Sequence, residues 1–275
     1  APCEWMELVR SAVSEATGYP RKNIHVHPAR YASKHDEYLT APAVLAALAA
    51  TAAIKTGLPT EIRDTAVFSR PGIEVKRSTL TDEEGKPLSE TVSMSIDMGA
   101  YPIMPEEYQR QAMAGLIPPY PLKEFKATVS VKTSERYPAS FAGSLGYSEA
   151  LASTEFHISR LAEEASMTPY QYRLSMEKEK RKFTDYLPGF ELEEQKETAA
   201  RAVQASTYER KWSANMFQKG DFSLLGYIRG IGMATGSGIS GFSTGFSKKS
   251  GFSAVMTFTQ KGNVTVNTSA LCHPG

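Results

Sequence analysis

Apolar residues recur at helical spacing from residue 5 to 17, where Leu8, Val9, Ala12, Val13 and Ala16 share one stripe and Gly18 supplies the stop. The period then shortens. Residues 23–27 alternate like a short strand, which would put His25 and His27 on one face, a solvated or core-edge face since no third ligand stands at a diagnostic metal spacing. After a polar loop over 27–38, residues 41–55 predict an alanine-rich helix, buried by close packing and stopped by Gly57 and Pro59. Residues 58–67, 73–80 and 90–96 have strand character. The polar reversal over 82–87 joins the last two as an antiparallel pair.

Gly99 ends that run and Pro102 and Pro105 prevent its continuation, after which Tyr108, Ala112 and Leu116, four apart, predict a short helix over 106–116. Phe125, Ala127, Val129 and Val131 then alternate onto one face, delivering the chain to residues 133–155. Pro138, Gly143, Gly146 and several small residues there predict a loop whose backbone can approach a ligand closely, with a helix beginning behind it. A loop meeting a helix start offers N–H groups to an anionic or oxygen-rich ligand, although the same glycines can simply shape a turn. The helix carries Leu151, Ile158, Leu161, Ala162 and Ala165 on its apolar stripe, and Glu155 falls on that stripe too. An inward carboxylate costs several kcal/mol unless paired or hydrogen-bonded. It is therefore either bonded to loop amides or part of a site.

Thr168-Pro169 restarts a helix as N-cap and first-turn proline, running through Arg173, and residues 177–197 read as a helix with a solvated, charged face. From Arg201 the composition turns to Gly, Ser, Phe and Thr. Strands are predicted over 227–235, 252–259 and 264–267, the last two joined by Lys261-Gly262-Asn263. Gly236 to Gly241 matches GxGxxG, but no helical period follows and no acidic residue lies about twenty positions on to take a ribose hydroxyl. P-loop spacing is not met either. A glycine-rich β connection is the better reading.

At 275 residues, 41% hydrophobic and 22% charged, the chain can bury a sizeable core and divides most naturally into two units, 1–200 and 201–275. A formal charge of +1 provides no field to collect nucleic acid or an anionic membrane. Cys3 and Cys272 belong to no metal-binding spacing, and the longest apolar run, 41–54, is too short to span a bilayer, so a reducing, cytoplasmic setting is expected. With no initiator Met at Ala1 and an end at His273-Pro274-Gly275 just after a strand-like segment, the chain is expected to be a piece of a longer polypeptide.

Four stretches carry a resemblance to a known family. Residues 26–35 stand where that family has a GGGFG-S/G-K loop, Asp97-Met98-Gly99-Ala100-Tyr101 matches its D-x-GAY strand end, and residues 138–155 match PxGAYRGFGxPExxxxxE. Met167-Thr168-Pro169 with Arg173 matches M-D-P-x-x-x-R. Residues 229–234 and 262–266 then resemble the opening strands of its second cofactor-binding half. The chain thus resembles the molybdenum-cofactor-binding subunit of the xanthine dehydrogenase and aldehyde oxidase family over nearly all its length.

The resemblance implies an α+β fold of mixed sheets with packed helices, in two cofactor-binding-type subdomains, the second truncated. It implies a molybdenum-molybdopterin cofactor held by loop backbone and hydroxylating an aldehyde or N-heterocycle, with electrons leaving through iron–sulfur and flavin (FAD) partner domains or subunits. Carried onto this chain, the cofactor-facing positions are Tyr31, Ala32, Ser33, Gly143, Ser144, Leu145 and Gly146. The departures matter: Gly143-Ser144-Leu145-Gly146 replaces Arg-Gly-Phe-Gly, so the substrate-orienting guanidinium is absent, and Pro28, Ala29 and Arg30 replace glycines. The Gly-Glu-Gly base has no counterpart, so no catalytic residue is assigned and turnover by this piece alone is not expected. The alternative is a scaffold or assembly subunit of the same fold that has lost its cofactor. For Glu155, a bond to loop amides predicts that Glu155→Leu lowers stability by roughly 1–3 kcal/mol in chemical denaturation, and a neutral result would rule such bonding out.

Overall fold

In the computed structural model the described residues are 3, 5–27, 41–63, 70–102, 104–120, 122–139, 146–176, 193–217, 230–236 and 254–268. The polar reversal at 82–86 makes the hairpin: Asp82 Oδ1 accepts the N–H groups of Glu84 (3.0 Å) and Lys86 (2.8 Å), and Gly85 takes a left-handed φ of 78°. It joins β1 (Gly72–Thr81) to β2 (Pro87–Asp97) in antiparallel register, with Val75 opposite Met94 and Arg77 opposite Val92. The chain leaves β2 through α3 (Pro105–Leu116) and returns as β3 (Glu124–Lys132), which lies parallel to β2. A parallel neighbour requires such a crossover. The order is β1-β2-β3.

Period-2 alternation decides what this sheet buries. Val92, Met94, Ile96 and Met98 of β2 and the stretch that continues it, with Phe125, Ala127, Val129 and Val131 of β3, form one face against Tyr108, Ala112 and Leu116 of α3. The next helix, α4 (Tyr147–Glu164), packs on α3 through small residues: a Cβ on Gly115 would come within 2.9 Å of Ala150. A second cluster joins Ile158, Leu161 and Ala162 of α4 to Tyr172 of α5 (Pro169–Ser175), whose hydroxyl donates to Gly85 O at 2.9 Å. Thr168 caps α5 in a reciprocal capping box with Gln171, as the Thr-Pro signal implied.

The remaining elements are α1 (Met6–Thr17), α2 (Ala41–Thr56), α6 (Glu193–Ser206), α7 (Tyr208–Phe217) and the antiparallel pair β4 (Ala254–Phe258) and β5 (Val264–Thr268). This is the expected α+β class. No described helix is long and apolar enough to cross a membrane.

Three local expectations fail for one reason. Residues 21–23 form a 3-10 turn and 24–27 no strand, residues 58–63 form no strand, and residues 230–235 form none either. Alternation alone makes no strand without a neighbouring strand to bond. The rest of the expected 58–67 and 227–235 strands lies outside the described residues. Helix α2 is not buried throughout: Pro42 and Ala43 are covered near α1, while Val44, Leu48 and Ile54 are exposed.

Between sheet and helices lies a buried ion pair. Arg77 of β1 bonds the Glu90 carboxylate of β2, and both side chains are almost wholly excluded from water. The other Glu90 oxygen accepts the Tyr120 hydroxyl at 2.6 Å and Thr79 Oγ1 at 3.1 Å. Because a carboxylate only accepts, the Thr79 proton points to Glu90, and His157 Nε2, 2.7 Å from Thr79 Oγ1, is the donor in that contact. Burial holds the His157 imidazole below its ordinary range and pushes the Tyr120 phenol well above its own. Arg77 Nη2 donates to Leu116 O at 2.8 Å and to Thr154 Oγ1 at 2.8 Å, and Thr154 donates to Gly115 O at 2.8 Å. The last carbonyls of α3 are thereby satisfied by groups from β1 and α4.

Replacing one member of that pair, as Arg77→Met or Glu90→Leu, is expected to cost about 3–5 kcal/mol in urea denaturation, because the other charge is left buried and alone. The double replacement should cost clearly less than the two losses summed, and additive losses would contradict the coupling.

Candidate functional site

The stretch singled out by sequence is entered where β2 ends. Asp97 Oδ1 accepts the Gly99 N–H at 3.0 Å and the Ser134 hydroxyl at 2.8 Å, and the Arg136 guanidinium stands 3.9 Å from Oδ2. The Gly99 amide, then Ser134, hold this carboxyl below the usual carboxylate range. Gly99 itself sits at φ 75°, and a Cβ there would run into the Tyr137 carbonyl and lie 2.9 Å from Arg136 O. Only glycine admits both that φ and that approach.

The ladder continues past the sheet proper. Met98 N–H bonds Lys132 O (3.0 Å), Ser134 N–H bonds Gly99 O (3.1 Å), Ala100 N–H bonds Arg136 O (3.0 Å) and Ala139 N–H bonds Met98 O (2.9 Å). Residues 132–139 are therefore strapped along the D-x-GAY segment up to the point where residues 140–145 begin.

The other stem of that stretch is Gly146, which precedes α4 at φ 88° and lies against the ring of Tyr108, whose Cδ1 would be 2.7 Å from a Cβ. The first turn of α4 is thus seated on α3, and α3 is seated on the sheet. Among the expected cofactor-facing positions only Gly146 is described. Tyr31, Ala32, Ser33, Gly143, Ser144 and Leu145 lie outside the described residues, as does most of the glycine-rich stretch from 236 to 251.

One helical face behind the stem is Glu155. It is buried, and its Oε2 bonds the Arg173 guanidinium and accepts the Thr235 N–H at 2.8 Å, while Oε1 lies 3.4 Å from Thr235 Oγ1. The amide it accepts is that of residue 235, at the end of the expected 227–235 strand, and does not belong to the loop before α4. The guanidinium beside it was not foreseen. Gly236 follows directly, against Leu151 of α4. Arg173 Nε and the hydroxyl of Tyr208, on α7, are buried without a hydrogen-bond partner, and burial pushes the Tyr208 phenol up to about 12.

Sequence reading missed Tyr108 as the seat of Gly146 and Thr235 as a ligand of Glu155. The first had a signal, an aromatic on the buried stripe of a helix. The second had none, since 80 residues separate the partners. Among the described residues no three His, Cys, Asp or Glu side chains form a group that could hold a metal ion, and His25 and His27 are exposed.

Residues 2–175 match the model of the molybdopterin cofactor-binding domain. The chain belongs to that family. No protein of curated function matches the sequence. Among solved structures this molybdopterin-binding-type chain is similar to reconstituted CO dehydrogenase from Oligotropha carboxidovorans, with 16% identity and a TM-score of 0.70 over 99% of this chain and 36% of that one. It is similar to quinoline 2-oxidoreductase from Pseudomonas putida 86 at 15% identity and TM-score 0.63, over 79% of this chain and 29% of the other. A third likeness, to the aldehyde oxidoreductase of Desulfovibrio desulfuricans, has 19% identity and TM-score 0.51 over 61% of this chain and 19% of that chain. The shared property is the fold, and the chain spans between a fifth and about a third of the length of these three proteins.

The family is defined by molybdopterin, and the stems can be tested against it. The N–H groups of Gly99, Ala100 and Ala139 are spent on Asp97, Arg136 and Met98, and the open sides of Gly99 and Gly146 are filled by the Tyr137 carbonyl and the Tyr108 ring. These described residues do not fit a pterin as direct ligands. They fit the stretch they brace.

The Arg173 contact raises what Glu155 is worth. Glu155→Leu leaves a buried guanidinium and the Thr235 amide without their acceptor, and the expected loss grows to about 3–5 kcal/mol. Denaturation that detects less than a 1 kcal/mol change, as expected of an exposed pair, would contradict the buried arrangement. Gly146→Ala should destabilise by about 1–3 kcal/mol through its backbone conformation alone, with further loss from the Tyr108 ring, and unchanged stability in the same assay would disprove that seat.

Proposed function

We propose that the chain is the framework part of a molybdopterin-dependent hydroxylase of the aldehyde oxidase and xanthine dehydrogenase type, acting on an aldehyde or an N-heterocycle. One observation carries the reading: the strapped end of β2 and the seated start of α4 brace the two ends of residues 140–145, the stretch that resembles the family's cofactor-facing motif. In this reading Gly143, Ser144 and Leu145, with Tyr31, Ala32 and Ser33, border the cofactor, and Gly146, expected from the motif to join them, braces them from the start of α4. Base and substrate-orienting groups come from polypeptide outside this chain, and iron–sulfur and flavin partners take the electrons. The division into a first unit over 1–200 and a second from 201 belongs to the same reading, as does a cytoplasmic setting.

Gly143 in place of the motif's arginine, and Pro28, Ala29 and Arg30 in place of glycines, favour a second reading, a framework subunit that has lost its cofactor. The two separate cleanly. The chain is tagged at its genomic locus, and the native assembly is purified from molybdenum-replete cells and analysed for metal and for oxidised pterin. Stoichiometric molybdenum and pterin are expected, and a clean absence of both overturns the hydroxylase reading in favour of the second.

A further inference from the structure

Groups from four parts of the chain meet around the Arg173 guanidinium. Glu155 comes from α4, Arg173 itself from α5, Tyr208 from the first turn of α7 and Thr235 from the approach to the glycine-rich stretch. Their direct bonds leave a remainder. Glu155 Oε2 accepts twice, from Arg173 Nη2 and from the Thr235 N–H at 2.8 Å, whereas Oε1 has only Thr235 Oγ1 at 3.4 Å, near the limit of a hydrogen bond. Arg173 Nε and the Tyr208 hydroxyl are buried donors with no acceptor in the chain.

Neither donor can turn to solvent. Tyr208 is 3% exposed and its ring rests against Trp212, with 5.6 Å between centroids, while the Arg173 side chain is 14% exposed and pinned through Nη2. The two lie close enough for the Arg173 charge to act on the phenol. Nε and Nη2 share one edge of the planar guanidinium, so the Nε–H points to the side on which Glu155 sits. Folded chains leave very few such groups unmet, because each loses its hydration without return.

Charge decides what fits between them. The Arg173 and Glu155 charges cancel, so an anion would set a second negative charge beside Glu155 with one guanidinium to serve both, and a cation would face two donors. What serves is a small neutral molecule that accepts twice and donates once. Water does both, with the three bonds typical of a buried molecule. We infer that Tyr208, Arg173 and Glu155 hold one ordered water, which accepts from the Tyr208 hydroxyl and from Arg173 Nε and donates to Glu155 Oε1. The bridge ties α7 to the clasp that fixes residue 235, and it rests on neither reading of the cofactor.

Two measurements test it. Crystals of the 275-residue chain, refined at a resolution that shows ordered water, should carry a single water peak within about 3.2 Å of both Tyr208 Oη and Arg173 Nε. Tyr208→Phe keeps the ring and removes one partner of that water. In urea denaturation the ratio of folded to unfolded chain should then fall about 5-fold, and the amides of α7 should exchange faster by about the same factor. A hydroxyl with no water to bond predicts the other sign, since deleting it removes a buried group that gained nothing. An unchanged or higher ratio for Tyr208→Phe therefore overturns the inference. So does a crystal in which either donor bonds a protein acceptor, the space holds an ion, or no peak lies between the two.

Discussion

A charge pair sealed between sheet and helices sets the geometry on which the rest depends. Desolvating Arg77 and Glu90 costs several kcal/mol each, recovered only through well-placed hydrogen bonds, which here satisfy both Glu90 oxygens and the two terminal guanidinium nitrogens of Arg77 and leave its Nε without a partner. Here the placing is done by Tyr120, Thr79, Thr154 and the Leu116 carbonyl, which belong to the strands, to α4 and to the C-terminal end of α3 and the turn beyond it. The requirement for these bonds is therefore also a requirement for one relative position of β1, β2, α3 and α4. Apolar packing alone, through Ala112, Gly115 and Ala150, would tolerate sliding; a hydrogen-bonded guanidinium does not.

From that fixed arrangement the stretch between residue 139 and α4 inherits its stems. Tyr108 is held by the core and Gly146 lies against it, while the far stem is strapped to β2 by backbone bonds around Gly99. Two glycines with left-handed φ thus serve protein-to-protein contact, not ligand contact. A backbone-presenting site needs such bracing, because a few ångströms of freedom at the stems would erase any orientation given to the residues between them. The Glu155–Arg173 pair extends the same logic to residues 230–236, holding the approach to the glycine-rich stretch against α4.

Much of this was legible in the residue pattern, and the limits have physical causes. Helices α1, α3 and α4, the β1–β2 hairpin, the Thr168 cap and the turn at Gly262 are each specified by residues close in sequence, so local reading finds them. The parallel seat of β3 beside β2, and the failure of 23–27 and 58–63 to pair, depend on which edge is available, which no local pattern contains. Glu155 was visible as a carboxylate on an apolar stripe, and Arg173 as part of a motif, but that the two meet across 18 residues was not. Arg77 shares the inward face of β1 with Ile73 and Val75, and that misplaced charge was the signal for the buried network. The candidate site is read from family motifs alone, and six of its seven expected residues lie outside the described ones.

The central claim is that this framework braces a cofactor-facing segment between the end of β2 and the start of α4. Anomalous diffraction at the molybdenum edge, from crystals of the complete assembly, tests it most directly. The account predicts one molybdenum peak beside residues 143–146. A peak remote from the start of α4, or a well-diffracting crystal with none, would contradict it.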